Sequence, residues 1–316
     1  MDFKNLPTDP FEVRFAIQKE KHNSIAVDTI KYIRDNYQHK ELLYSCIDFM
    51  NYDLIESSRF DFEEIERIWL SPTKETSAEL SEALFQIINA SYKAAYDNLR
   101  RALEIMILGC SFAQNNFEAT QAQEWLTSER ETPQFARAIA SLLQDKRVKK
   151  LEQETFWITQ LTNFYCDLSD IIHVRGEQYS RKTLQPAMFS YNGIDAPSLS
   201  LKNLHRALDT VILTVQHICT SVAITNPVLL IGLPLEEKYG LDSSMPGIFD
   251  WAQSALLRQL LIPDTKIFFE ELVKKDEEII SIAKYVKNIP NITEQELDKQ
   301  IRDFKIFLDE MRKSRN

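Results

Sequence analysis

The chain has 316 residues, 44% of them hydrophobic and 27% charged, proportions of a globular protein that buries a core without disulfides and not of a disordered or collagenous one. Acidic residues outnumber basic ones, 47 to 37, and the net charge of −10 removes any global pull toward nucleic acid or anionic lipid. Glycine occurs only 6 times, well under the usual ~7% of residues, which disfavours glycine-rich phosphate loops, Rossmann turns and many-stranded folds.

Read in chain order, the sequence opens without a basic n-region or an apolar h-region, so no secretory leader is expected. Shorter helical segments are expected over residues 11–70. From 76 to 115 apolar residues recur at three-and-four spacing, with Leu80, Leu84, Ile88, Tyr92, Leu99 and Met106 on one side and Ile87, Ala94, Leu108 and Phe112 on the other. A helix apolar on two faces belongs in the middle of a bundle. A short helix is expected over 133–143, and the basic run Lys146, Arg147, Lys149 and Lys150 behind Asp145 reads as the solvated opening of another, with a phosphate contact as the lesser alternative.

That next helix is expected over 148–173, with Leu151, Ile158, Leu161, Tyr165, Leu168 and Ile172 on one face. After it, 176–197 forms a long loop in which Asn192-Gly193 can close a small hairpin over 189–194. Leu201, Leu204, Leu208, Val211, Val215, Ile218 and Val222 then form a bundle seam over 198–222. Residues 227–247 hold half of the glycines and mark a subdomain boundary; their start, 227–235, is the longest apolar stretch and falls short of the ~20 residues that cross a bilayer.

The C-terminal part reads as a helical hairpin over 264–312. Asp264 caps one helix that Pro290 ends, and Thr293 with Glu296 forms a capping box that opens the last one, with Leu297, Ile301, Phe304, Leu308 and Met311 on one side. The expected organisation is all-α: an N-terminal helical region (1–72), a helical bundle (73–225), a loop-rich connector (226–262) and the hairpin (263–316). Cys46, Cys110, Cys166 and Cys219 are scattered and unpaired in sequence, the pattern of reduced core thiols and a cytoplasmic protein.

One residue conflicts with its surroundings. Arg101 is in phase with Ala94, Leu108 and Phe112, and a guanidinium in a buried stripe must be paired, because its desolvation costs several kcal/mol. Glu104 is a local partner, and the polar track Thr162, Cys166, Ser169 and His173 on the later helix offers others. Arg101, Glu104, Ser169 and His173 are therefore expected to meet, either as a structural hydrogen-bond network or as a site.

Two further residue patterns carry a resemblance. Tyr92, Tyr96, Leu99, Arg100, Arg101 and Glu104 on one long helix, then Phe164, Tyr165, Leu168, Ser169, His173, Arg175 and Gly176 ending another, resemble the HEPN superfamily over residues 75–225. The resemblance implies a helical domain working in an oligomer, often as a ribonuclease in defence or toxin–antitoxin systems, with an arginine shortly before a histidine at a helix end. Here no arginine precedes His173 within its helix, and Arg175 lies on the other side. The reading that follows is an interaction or regulatory subunit, partnered by another protein or by copies of itself. The alternative is a divergent ribonuclease in which His173 works with Arg175 or Arg101 on RNA.

No metal, cofactor or membrane is expected. Asp170 and His173 have the spacing of a di-iron ligand pair, but the chain lacks the second pair such a site needs. Cys166 and His173 stand about 10 Å apart along a helix, too far for one zinc, and His205 with Asp209 offers at best a weak metal pair among solvated residues.

Overall fold

The three-and-four spacing resolves into helices wherever the chain is described, in a computed structural model that covers residues 10–57, 62–113, 119–173, 175–176, 199–240 and 247–314. In order these are α1 (Pro10–Asn36), α2 (Lys40–Asp48), a π-helical turn (Phe49–Asp53), α3 (Leu54–Glu56), α4 (Phe62–Ile88), α5 (Tyr92–Phe112), α6 (Ala119–Leu126), α7 (Phe135–Leu142), α8 (Lys146–Thr155) and α9 (Trp157–Ile172). Then follow α10 (Leu201–Thr225), α11 (Leu235–Tyr239), α12 (Trp251–Leu260), α13 (Lys266–Lys275), α14 (Glu277–Asn288) and α15 (Glu294–Ser314). No strand occurs among the described residues. The hairpin expected over 189–194 lies outside them.

The protein is an all-α bundle built around α5, which packs against α4, α7, α9 and α10. Its Leu99, Ala102, Leu103, Met106 and Ile107 are fully buried. The stretch 76–115 is not one helix but an antiparallel pair. Ala90 adopts a left-handed φ of 55°, its N–H bonds Ile87 O at 2.9 Å, and the Ser91 N–H reaches back to Gln86 O at 2.7 Å, which is a Schellman stop without glycine. Because that stop spans about one helical turn, the apolar spacing continues through it unbroken.

Packing of the pair rotates the expected stripe on α4, which buries Thr73, Thr76, Leu80, Ala83 and Ile87 while Leu84 and Ile88 are only partly covered. Gly109 on α5 lies close against Pro72 inside α4, where a Cβ on Gly109 would lie 2.6 Å from Pro72 Cβ.

The helix expected over 148–173 also divides. Phe156 turns left-handed with φ 55°, and Glu152 caps the restart, its carboxylate accepting from Ile158 N at 2.6 Å and Thr159 Oγ1 at 2.7 Å. Asp145 caps α8 by accepting from the N–H groups of Arg147 and Val148 at 2.6 and 3.2 Å, so the basic run does open a helix.

Of the expected seam residues of α10, Leu204, Leu208, Val211, Val215, Ile218 and Val222 are buried, whereas Leu201 at the first position of the helix is exposed. This helix is long and apolar enough to cross a membrane by length and composition, with a mean hydropathy of 1.5, but 78% of that window is buried in the bundle. Its apolar character lies in alternation with polar residues rather than in a continuous run, so a search for apolar stretches passes over it.

The boundaries expected from sequence are bridged by packing. Residue 72 falls inside α4, and Tyr37, Leu43, Phe49 and Leu54 share one core with α5 and α10. Nor do the described residues 227–240 form a loose divider. Leu229 and Leu230 join the main core, and Leu233 and Leu235 form a smaller core with Val286 of α14. The first helix of the C-terminal hairpin breaks at Asp276, which caps α14 by accepting from Glu278 N and Ile279 N at 3.1 and 3.2 Å. The expected capping box at α15 is present, with Thr293 N donating to Glu296 Oε2 at 2.9 Å and Glu296 N to Thr293 Oγ1 at 3.3 Å. Cys46, Cys110 and Cys219 are buried free thiols, whereas Cys166 is exposed.

Replacing Gly109 by alanine tests this contact. Helix propensity alone favours alanine by about 1 kcal/mol, but overpacking against the rigid Pro72 ring costs about 1–3 kcal/mol. Urea unfolding of Gly109→Ala should show a lowered midpoint; an unchanged or raised one would contradict the contact.

Candidate functional site

Neighbouring arginines on α5 point to different sides of the bundle, as the 100° step of a helix requires. Arg101 turns toward α4. Its Nε and Nη2 each reach the Glu79 carboxylate at 3.0 Å, Nη1 reaches Asp97 at 2.6 Å, and Nη2 also reaches Asn98 Oδ1 at 2.6 Å. Ala94, in phase with it, is exposed, so this flank of α5 is a solvated surface at its N-terminal half. Small alanines there reflect helix propensity rather than burial.

Arg100 occupies the interhelical position expected for Arg101. Its Nη2 donates to Glu104 Oε1 at 3.1 Å, and the Tyr165 hydroxyl of α9 donates to the same oxygen. The guanidinium also stands over the Tyr165 ring, 5.6 Å from its centroid, and Phe135 of α7 stacks on that ring at 3.9 Å and 9°. Burial opposes the charge on Arg100, but hydrogen bonds with Tyr165 and Glu104 outweigh it and raise its pKa. Burial, and then the bond to Glu104, push the Tyr165 hydroxyl up as well. The sequence carried a signal for this cluster: Arg100 and Glu104 stand four residues apart, on the side of α5 that faces Tyr165.

The four residues expected to meet do not form one network. Glu104 does link α5 to α9, but through Arg100 and Tyr165, while Arg101 is engaged with α4. His173 caps the end of α9 with its backbone N–H on Ser169 O at 2.9 Å, and its ring is exposed. Arg175 is 74% exposed and pairs with Asp170 at 3.1 Å.

His205 and Asp209 dock the N-terminal helix rather than a metal. Tyr32 and His205 Nε2 lie 2.7 Å apart, Tyr37 donates to Asp209 Oδ1 at 2.6 Å, and the Tyr37 ring stands edge-on to His205 at 5.6 Å. Among the described residues no three His, Cys, Asp or Glu side chains converge as metal ligands. Arg147 of the basic run reaches Asp276 and Glu278 at 2.8 Å each, which fixes α8 to the start of α14.

One buried titratable group is absent from the sequence reading. His217 of α10 stacks on Phe164 at 5.2 Å and 25°, its Nδ1 is buried without a partner, and burial pushes its pKa down to about 4.

Comparison with known proteins finds no matching family model, no matching curated protein and no matching solved structure.

Two outcomes check this geometry. Removing Glu104 leaves Arg100 and the Tyr165 hydroxyl without their shared acceptor, so Glu104→Ala should destabilise by about 1–3 kcal/mol, against at most ~1 kcal/mol for Arg101→Ala in its exposed ion pairs. Equal losses would argue against a buried cluster. For His217 the sign follows from the depressed pKa. The unfolded chain takes up a proton near 6.5 and the folded one only near 4, so stability is full above 6.5 and is lost as pH falls toward and through 4. At ~1.4 kcal/mol per pH unit the loss is about 3 kcal/mol. Denaturation between pH 7 and 4 should show this slope flattened in His217→Phe; an identical slope would assign it to other groups.

Proposed function

We propose that this chain is a HEPN-like helical interaction or regulatory subunit, of the kind that serves bacterial defence or toxin–antitoxin systems, rather than a nuclease. The observation that supports this reading is the commitment of its cations. A ribonuclease built on His173 needs a guanidinium free to neutralise phosphate charge beside the histidine. Arg101 is held by Glu79, Asp97 and Asn98, Arg100 by Glu104 under the Tyr165 ring, and Arg175 by Asp170. The HEPN-like part of the reading rests on the residue patterns of α5 and α9, which pack against each other.

The nuclease alternative keeps one favourable observation: His173 and Arg175 are both exposed at the end of α9, and an exposed pair such as Arg175–Asp170 exchanges at little cost.

Incubating the purified full chain with total RNA separates the two. The expected result is intact RNA, with His173→Ala indistinguishable from the parent, together with a stable complex recovered from cell extract. Cleavage that disappears in His173→Ala would overturn the interaction reading.

A further inference from the structure

The last helix runs about 30 Å from end to end, and among its described side chains only a few near its beginning are covered. Gln300 donates to Tyr239 O at 2.9 Å, and Leu297 crowds the position where Gly240 would carry a Cβ, its Cδ1 3.0 Å away. On a helical wheel Ile301 and Phe304 lie within the same side as Leu297 and Gln300. Here the cover ends: Ile301 is 36% and Phe304 52% exposed, and every residue from 301 to 306 is open to solvent. The sequence continues the spacing through Leu308 and Met311, so Leu297, Ile301, Phe304, Leu308 and Met311 follow the alternating four-and-three steps of a coiled-coil seam. A stripe of this kind that starts against the chain's own body and overruns it is built for a second helix.

Charge decides which helix. With Leu297, Phe304 and Met311 at d positions and Ile301 and Leu308 at a positions, the flanking e positions hold Asp298, Lys305 and Arg312 and the g positions Gln300 and Phe307. Two copies running parallel would set g against e, pairing Gln300 with Lys305 and Phe307 with Arg312, with no opposite charges. Two copies running antiparallel set e against e, and the register that seats Ile301 against Phe304 brings Asp298 of each copy to Lys305 of the other. Both side chains are exposed and neither has a partner among the described residues. We infer that α15 is the site of self-association, joining two copies of this chain as an antiparallel two-helix seam. The inference rests on the interaction reading only in naming its partner as a second copy.

Such a seam is smaller than the ~800 Å² per partner of a standard interface, so the dimer should be weak and concentration-dependent. Sedimentation equilibrium of the full chain over a wide concentration range should show monomer and dimer in exchange. Phe304→Lys should be monomeric. Lys305→Asp faces Asp298 with a like charge twice per dimer and should weaken association about tenfold or more, and the double variant Asp298→Lys with Lys305→Asp should restore it to about the parent level. A parent that stays monomeric throughout, a dimer indifferent to Phe304→Lys, or a double variant as weak as the single one would each overturn the inference. None of these results bears on RNA cleavage, and cleavage lost in His173→Ala would sink the interaction reading without touching the dimer.

Discussion

The contact of Gly109 with Pro72 sets the separation of α4 and α5, and the rest of the bundle is arranged on that pair. With no Cβ on Gly109, the α5 backbone settles against the proline ring. Thr76 completes the approach by donating to Ala102 O at 3.4 Å, and Ser77 carries it onward by donating to Met50 O at 2.9 Å, which ties the π-helical turn and the N-terminal helices to the same axis. The remaining sides of α5 are then covered by α7, α9 and α10. An axis packed against helices from both ends of the chain explains why the expected N-terminal region and connector contribute to one core.

Polar groups between these helices hold geometry. Arg100 and Tyr165 share the Glu104 carboxylate where α5 meets α9, Phe135 closes the cluster with an aromatic face, and the Arg100 Nε stays buried without a partner. Tyr32 and Tyr37 do the same for α1 against His205 and Asp209 of α10. A half-buried charge with a shared acceptor is costly to lose and fixes the register of two helices.

The helical class, the α10 seam, the opening of α8 behind Asp145 and the capping box at Thr293 and Glu296 were all legible in the sequence, because each rests on local spacing or on a local hydrogen bond. The breaks at Ala90, Phe156 and Asp276 were not. None is marked by glycine or proline, and the turn at Ala90 keeps the apolar residues in phase, so periodicity reads straight through it. The polar cluster was missed by one residue. Arg100 and Arg101 differ by 100° on the helix wheel, and apolar Ala94 made the wrong flank look buried. Which flank faces a neighbour is decided by packing between helices distant in sequence, and that information is absent from any local window.

Native-state hydrogen exchange tests most directly the claim that α5 is the axis on which the other elements depend. Amides from Leu99 to Leu108 should exchange only through global unfolding, with an opening free energy equal to that of the whole protein, while amides of α15 beyond Ile301 exchange through local opening at much lower cost. Exchange of the α5 amides at the rate of α15, well before global unfolding, would contradict it.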